Sequence, residues 1–196
     1  MTYKTEQETF WSGEFGDAYI GRNTGPQLLA YNLDFFAKAL RHASGVPSVI
    51  EFGANVGMNL RALQLLHPEQ EQWGIEINQH AASELAAAIP PAHVMRQSIL
   101  DFVPQRQWDL ALIKTVLIHI HPEQLPTVYE ALYRSARRYI LVAEYYNPAP
   151  VEVTYRGHAQ RLFKRDFAGE LLDAYPDLRL VDYGFAYRRD PNFPQD

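Results

Sequence analysis

Two periods of apolar residues alternate along this chain. Short runs rich in β-branched and aromatic residues, at 48–52, 72–77, 93–97, 108–114 and 139–145, read as strands. Between them, at 58–66, 79–88 and 123–137, apolar positions recur every three or four residues, which predicts helices. Upstream, Leu28, Tyr31, Phe35, Phe36, Ala39 and Leu40 carry the same helical period across 27–42, and 166–175 repeats it downstream. A last segment, 178–187, reads as a tail strand. Pro122 suits a first helical turn, and Arg134, Arg137 and Arg138 suit a helix C-terminus, where cations meet the negative end of the dipole. Strands alternating with helices predict an α/β fold of the Rossmann-like kind, a mainly parallel sheet with helices on both faces. Prolines punctuate the elements, and no repeat or Pro/Gly/Ser-rich linker divides the chain. The expectation is one domain over 1–196, with 1–25 lying over a core of 26–196.

Composition narrows the function. Apolar residues make up 47% and charged residues 21%, the balance of a soluble globular protein. The net charge of −5, with no run of Lys or Arg, argues against a nucleic-acid partner. The absence of cysteine removes disulfides, thiolate nucleophiles and Cys-based zinc sites. The polar start, MTYKTEQETF, has no apolar core of a signal peptide, and no apolar stretch is long enough to span a bilayer. These features predict a soluble, cytoplasmic monomer or homodimer with a small-molecule partner and no membrane or metal.

The sharpest local signal is V-I-E-F-G-A-N-V-G-M-N, from Val49 to Asn59. A strand end runs into Gly53 and Gly57, and a helix follows. Glycines there let the backbone turn tightly and approach a ligand. Glu76 then closes the next strand, where a carboxylate can accept both hydroxyls of a ribose. Two glycines after a strand also make an ordinary βα turn; the strand before, the helix after and Glu76 together favour nucleotide-type binding. The spacing is G-x-x-x-G, with Asn55 where a dinucleotide fingerprint has its middle glycine. Glu51 adds a negative charge that would repel a pyrophosphate and attract an ammonium group. Charge therefore favours S-adenosylmethionine over NAD. An NAD-type oxidoreductase and a non-catalytic Rossmann module are the alternatives.

The motif resembles that of class I S-adenosylmethionine-dependent methyltransferases, [D/E]-x-G-x-x-x-G followed by an acid at the end of the second strand. Over nearly its whole length the chain is similar to methylases associated with pseudaminic acid biosynthesis. That likeness is carried by F-W-S-G-E-F-G-D-A-Y-I-G-R-N, E-F-G-A-N-V-G-M-N, E-Y-Y-N-P and Y-R-G-H-A-Q-R-L-F-K-R-D-F. The resemblance implies that Gly53, Asn55, Gly57 and Asn59 line the methionine and ribose part of the cofactor. Glu76 would hold the ribose, Ile77, Ser98 and Ile99 would flank the adenine, and Lys114 would face the amino-acid end. Class I enzymes usually finish with an antiparallel strand pair; here the last strand is expected to be missing or very short.

Outside the loop, Tyr19 and Arg22 share a face if 11–22 is helical, and Arg22 could then pair with the cofactor carboxylate. A solvated cap is the plain alternative. Trp11 is a candidate for the acceptor site. His119 and His121 follow the fourth strand without a third metal ligand at a suitable spacing. His119 lies where substrates dock in parallel sheets, as a base or as a support for its own loop. Glu144, Tyr145 and His158 are further candidates for a base. Between Tyr155 and Asp166 stand five cationic or histidine side chains, including Arg156, His158 and Arg161. With Tyr146, Asn147 and Tyr155, Arg156 and Arg161 are candidates to bind a small, polar, anionic or sugar-derived acceptor; a solvated face would explain the same charges.

Overall fold

The computed structural model describes residues 3–22 and 24–195. Asn23, which ends the first of the resemblance motifs, lies outside them. The chain opens with three helices, α1 (Glu6–Ser12), α2 (Glu14–Ile20) and α3 (Pro26–Ala39). Strand and helix then alternate through β1 (Ser48–Phe52), α4 (Met58–Leu66), β2 (Glu71–Glu76), α5 (Gln79–Leu85), β3 (Val94–Arg96), β4 (Trp108–Lys114), α6 (Leu125–Ser135) and β5 (Ala136–Ala143). A hairpin, β6 (Val151–Tyr155) and β7 (His158–Lys164), and a helix, α7 (Phe167–Ala174), follow.

The five strands β1 to β5 form one parallel sheet in the order β3-β2-β1-β4-β5. All of β1 is buried, as is β4 up to Ile113, as expected of parallel strands covered on both faces. Alternate residues serve opposite layers. Val49, Leu110 and Leu112 pack with Phe36 of α3, Leu60 and Leu63 of α4 and Leu85 of α5. Ile50, Phe52, Ala111 and Ile113 pack with Val128 and Leu132 of α6 and Phe167 and Leu171 of α7. The period of 2 along each strand thus builds two cores, one per face.

Two expectations change. The helix expected over 123–137 ends at Ser135, and β5 begins at once, because Ala136 pairs with Trp108 of β4. The tail strand expected over 178–187 is not formed. That segment runs without ladder bonds and leaves Leu180, Val181, Tyr183 and Phe185 more than half exposed. Asp182 instead ties it to Arg41 beyond α3, at 3.0 Å. No antiparallel strand joins the five-stranded sheet among the described residues.

Most of the charged block between Tyr155 and Asp166 lies in the β6–β7 hairpin. Arg156 and Gly157 both take positive φ, 50° and 87°, the conformation that a two-residue hairpin turn requires. Among the described residues, no helix is long and apolar enough to cross a membrane.

Candidate functional site

A cavity opens at the carboxyl end of the sheet, where β1 and β4 adjoin and the crossovers leave in opposite directions. Parallel α/β sheets bind ligands at this switch point. Its floor is the loop after β1. The N–H groups of Gly53 and Ala54 both donate to Ile75 O, at 2.9 Å each, which folds the loop back over β2. Gly53 has φ +75°, and a Cβ there would come within 2.7 Å of Val116 Cγ2. The position therefore demands glycine on both backbone and steric grounds.

Glu76, at the end of β2, is 7% exposed and lines the cavity. Its Oε2 accepts from Asn55 N–H and its Oε1 from Asn78 N–H, both at 2.7 Å. One carboxylate thus pins the glycine loop and the start of α5. Burial raises its pKa, and these backbone donors oppose the rise. Asn78 in turn caps α5 through Ala81 N–H and reaches Asp17 of α2 at 2.8 Å.

Glu51 sits under the loop at 1% exposure, where Asn59 Nδ2 donates to its Oε1 at 2.5 Å. Its other oxygen is buried and has no hydrogen-bond partner. Burial pushes the pKa up to about 8, against the pull of Asn59 and of the Lys114 charge. Lys114, which lines the cavity, is shifted down by burial, and its Nζ lies 3.5 Å from Asn32 Oδ1.

The far side of the cavity is aromatic. Trp11 of α1 meets Tyr19 of α2 edge to face at 5.1 Å, and its centroid is 4.6 Å from that of His119. His119 is 7% exposed, and its Nδ1 lies 2.5 Å from Arg161 O. A carbonyl can only accept, so Nδ1 carries the proton and Nε2 the lone pair. Burial lowers the pKa to about 4, leaving a neutral imidazole at physiological pH.

The cavity gathers Trp11, Tyr19, Gly53, Asn55, Asn59, Glu76, Ile77, Ser98, Ile99, Lys114 and His119 of the residues singled out above. Glu51 and Gly57 lie just behind its wall, Glu51 through Asn59 and Gly57 as the left-handed cap of α4. Arg22 is exposed beyond α2 and does not line it. Glu144 is no free base: its carboxylate accepts from Val116, Leu117 and Ile118 N–H at 2.9, 2.8 and 3.4 Å and holds the loop after β4. Burial raises its pKa to about 7 against those three bonds.

The remaining candidates are placed elsewhere. Arg161 pairs with Glu6 of α1 at 3.0 Å, with its guanidinium over the Phe10 ring. Arg156 is at the exposed hairpin turn. His158 packs against Phe10 and Phe15, and Tyr155 backs His119. Tyr145 packs on the core beneath Lys164, Tyr146 is exposed, and Asn147 is half-buried outside the cavity. Arg161 and His158 thus dock the hairpin on α1, Arg161 through a partner about 155 residues away in sequence, whereas Arg165 pairs with Glu170 of α7 at 2.7 Å.

His121, set aside above as a metal ligand, also lines the cavity, as do Glu8, Asn32 and Asn78, which sequence reasoning missed. For Glu8 a signal existed. Thr5-x-x-Glu8 is a capping box, and the structure forms it.

Neither a known protein family nor a curated protein sequence matches this chain. Solved structures do. The mitomycin 7-O-methyltransferase MmcR superposes with a TM-score of 0.62 at 14% identity, covering 86% of this chain and 54% of that one. The sugar N-methyltransferase KedS8 from a Streptoalloteichus species gives 0.56 at 16% identity, covering 80% and 65%. DhpI, in a complex with SAM and HEP, gives 0.57 at 15% identity, covering 90% of both chains. The chain thus spans two thirds or less of the first two. It has the Rossmann-like fold of the class I S-adenosylmethionine-dependent methyltransferases.

Proposed function

We propose that the chain is an S-adenosylmethionine-dependent methyltransferase acting on an oxygen or nitrogen of a small, polar, sugar-derived molecule. One observation carries this reading. Two buried carboxylates, Glu51 and Glu76, stand at the ends of adjacent strands beneath one glycine loop. The donor and acceptor set fits the cofactor. Glu51 has an unpartnered buried oxygen for an ammonium, and Glu76 has lone pairs for ribose hydroxyls. Gly53 leaves room where a side chain would intrude. A pyrophosphate would meet those carboxylates with only Lys114 to offset them among the lining residues, which disfavours NAD.

Bound there, S-adenosylmethionine supplies a methyl group on a sulfonium, a leaving group that needs no acid. The chain's part is to exclude water, with Trp11 and Tyr19, and to align the acceptor. His119 is suited to take a proton from the acceptor through Nε2. The sugar-derived acceptor rests on the resemblance to pseudaminic acid-associated methylases and on the sugar N-methyltransferase among the structural neighbours. An anionic acceptor rested on Arg156 and Arg161, which do not line the cavity, and is not part of the proposal.

S-adenosylhomocysteine at a hundredfold excess over its dissociation constant should stabilise the protein by about 2.7 kcal/mol, and NAD should not. A thermal shift with NAD alone would reverse the assignment.

The Glu51 pairing gives the binding a pH dependence. An ammonium beside Glu51 favours its ionised form, whereas burial in the free protein holds its pKa at about 8. Binding therefore releases a proton below that pH, and affinity for S-adenosylhomocysteine should rise between about pH 6 and 8 by up to about tenfold per unit. Glu51→Gln should flatten the slope in calorimetry. A wild-type profile that is already flat would take Glu51 out of the site.

A further inference from the structure

Helix α1 is tied at its start to the segment after β3. Lys4 Nζ donates to Leu100 O at 3.1 Å and pairs with Asp101 at 2.5 Å. One turn on, Glu8 is 6% exposed and lines the cavity together with Ser98, Ile99 and Leu100. Its two oxygens differ. Oε2 closes the cap of its own helix, accepting from Lys4 N–H at 2.7 Å, Thr5 N–H at 2.8 Å and the Thr5 hydroxyl at 3.1 Å. Oε1 is sealed from solvent and has no partner. A buried carboxylate oxygen left unsatisfied is costly, so a donor brought by a ligand would be held strongly there.

The order of the strands says which part of a nucleoside arrives at this point. With an ammonium at Glu51 on β1 and a ribose at Glu76 on β2, the ligand runs along β1, β2 and β3. Its base then lies against 98–100. Ser98 is engaged there, its Oγ accepting from Leu100 N–H at 3.1 Å. The ring nitrogens of adenine that carry lone pairs repel a carboxylate, and the exocyclic amine is the group of the base that donates hydrogen bonds.

We infer that Glu8 Oε1 accepts a hydrogen bond from the exocyclic amine, so that α1, outside the nucleotide-binding loop, is what reads the base as adenine. The inference rests on the cofactor reading above. It makes Glu8 a specificity-determining residue and joins the ordering of α1 to the arrival of the adenosyl group.

The test compares S-adenosylhomocysteine with its purine-riboside analogue, in which hydrogen replaces the exocyclic amine and no donor is gained, by calorimetry. Wild-type protein should prefer the adenosine form by about tenfold or more. Glu8→Gln keeps an acceptor for the cap, since Gln also closes a capping box, but presents an amide N–H₂ to the base. Its preference should fall to one or below. Glu8→Ala should also lose the preference and is read if Glu8→Gln does not fold, melting curves reporting the fold of each. Thr5→Ala, which weakens the cap and leaves Oε1, should keep the wild-type ratio. Equal affinities in the wild type, an unchanged ratio in the Glu8 variants, or a ratio lost in Thr5→Ala would each overturn the inference while leaving the cofactor reading intact. Wild-type protein that binds neither analogue would overturn both.

Discussion

Glu76→Ala should weaken S-adenosylhomocysteine binding by well over tenfold and lower the melting temperature of the free protein. The first effect follows from the loss of a shared acceptor for two ribose hydroxyls. Hydrogen bonds to a charged group are worth roughly 1.5–3 kcal/mol, and about 1.4 kcal/mol is tenfold in affinity. The second effect follows from the other role of the carboxylate, since Asn55 and Asn78 N–H both depend on it. Each orphaned donor costs about 1–3 kcal/mol, partly offset because a buried acid whose pKa is already raised is no longer there to be desolvated. A net loss of about 2 kcal/mol corresponds to roughly 4–8 °C in a chain of this size. Glu76→Gln separates the roles, because the amide keeps one acceptor oxygen and the shape. A folded variant with wild-type affinity would mean that the ribose lies elsewhere.

Glu144→Ala should be the more damaging change to the fold. It removes the acceptor of three consecutive N–H groups after β4 and releases the loop that carries His119. The expected cost is about 3 kcal/mol, or roughly 6–12 °C, with methyl transfer reduced further because His119 loses its position. Glu144→Gln, which keeps one acceptor oxygen, should recover part of both. The pKa of about 7 fixes the sign of the pH dependence. Glu144 and Glu51 hold protons when folded that they have lost when unfolded, between about pH 4.5 and 8. Their contribution to stability therefore falls as pH rises through that window. Melting curves flat in pH, with a mild Glu144→Ala phenotype, would rule out a buried anchor.

The glycine loop and Glu76 could be read from the chain because their chemistry is local: a strand end, a turn and an acid one strand later. The buried runs of β1 and β4 were legible for the same reason, as both faces of those strands are apolar. What could not be read depends on partners far away in sequence. Glu144 looked like a base because nothing near it shows that three N–H groups 26 to 28 residues earlier would take its lone pairs. Arg161 looked like a substrate clamp because Glu6 lies at the other end of the chain. The tail at 178–187 has the composition of a strand but forms no ladder, and pairing is a property of a neighbour rather than of a segment. The hairpin at 151–164 was legible in principle. Alternating residues flank an Arg156-Gly157 turn, but the density of charge drew attention away from the period.

The cavity is walled on one side by bonds of a different quality from those on the other. The sheet side is built of buried backbone hydrogen bonds. The α1 side is fastened at its rim by Lys4 to Asp101 and Arg161 to Glu6, where Lys4, Asp101 and Glu6 are about half exposed or more. Ion pairs so exposed are worth about 0–1 kcal/mol each and are screened by salt. Raised salt should therefore loosen this rim, while the contacts of Trp11 with Tyr19 and His119 and the buried bonds of the sheet side stay in place.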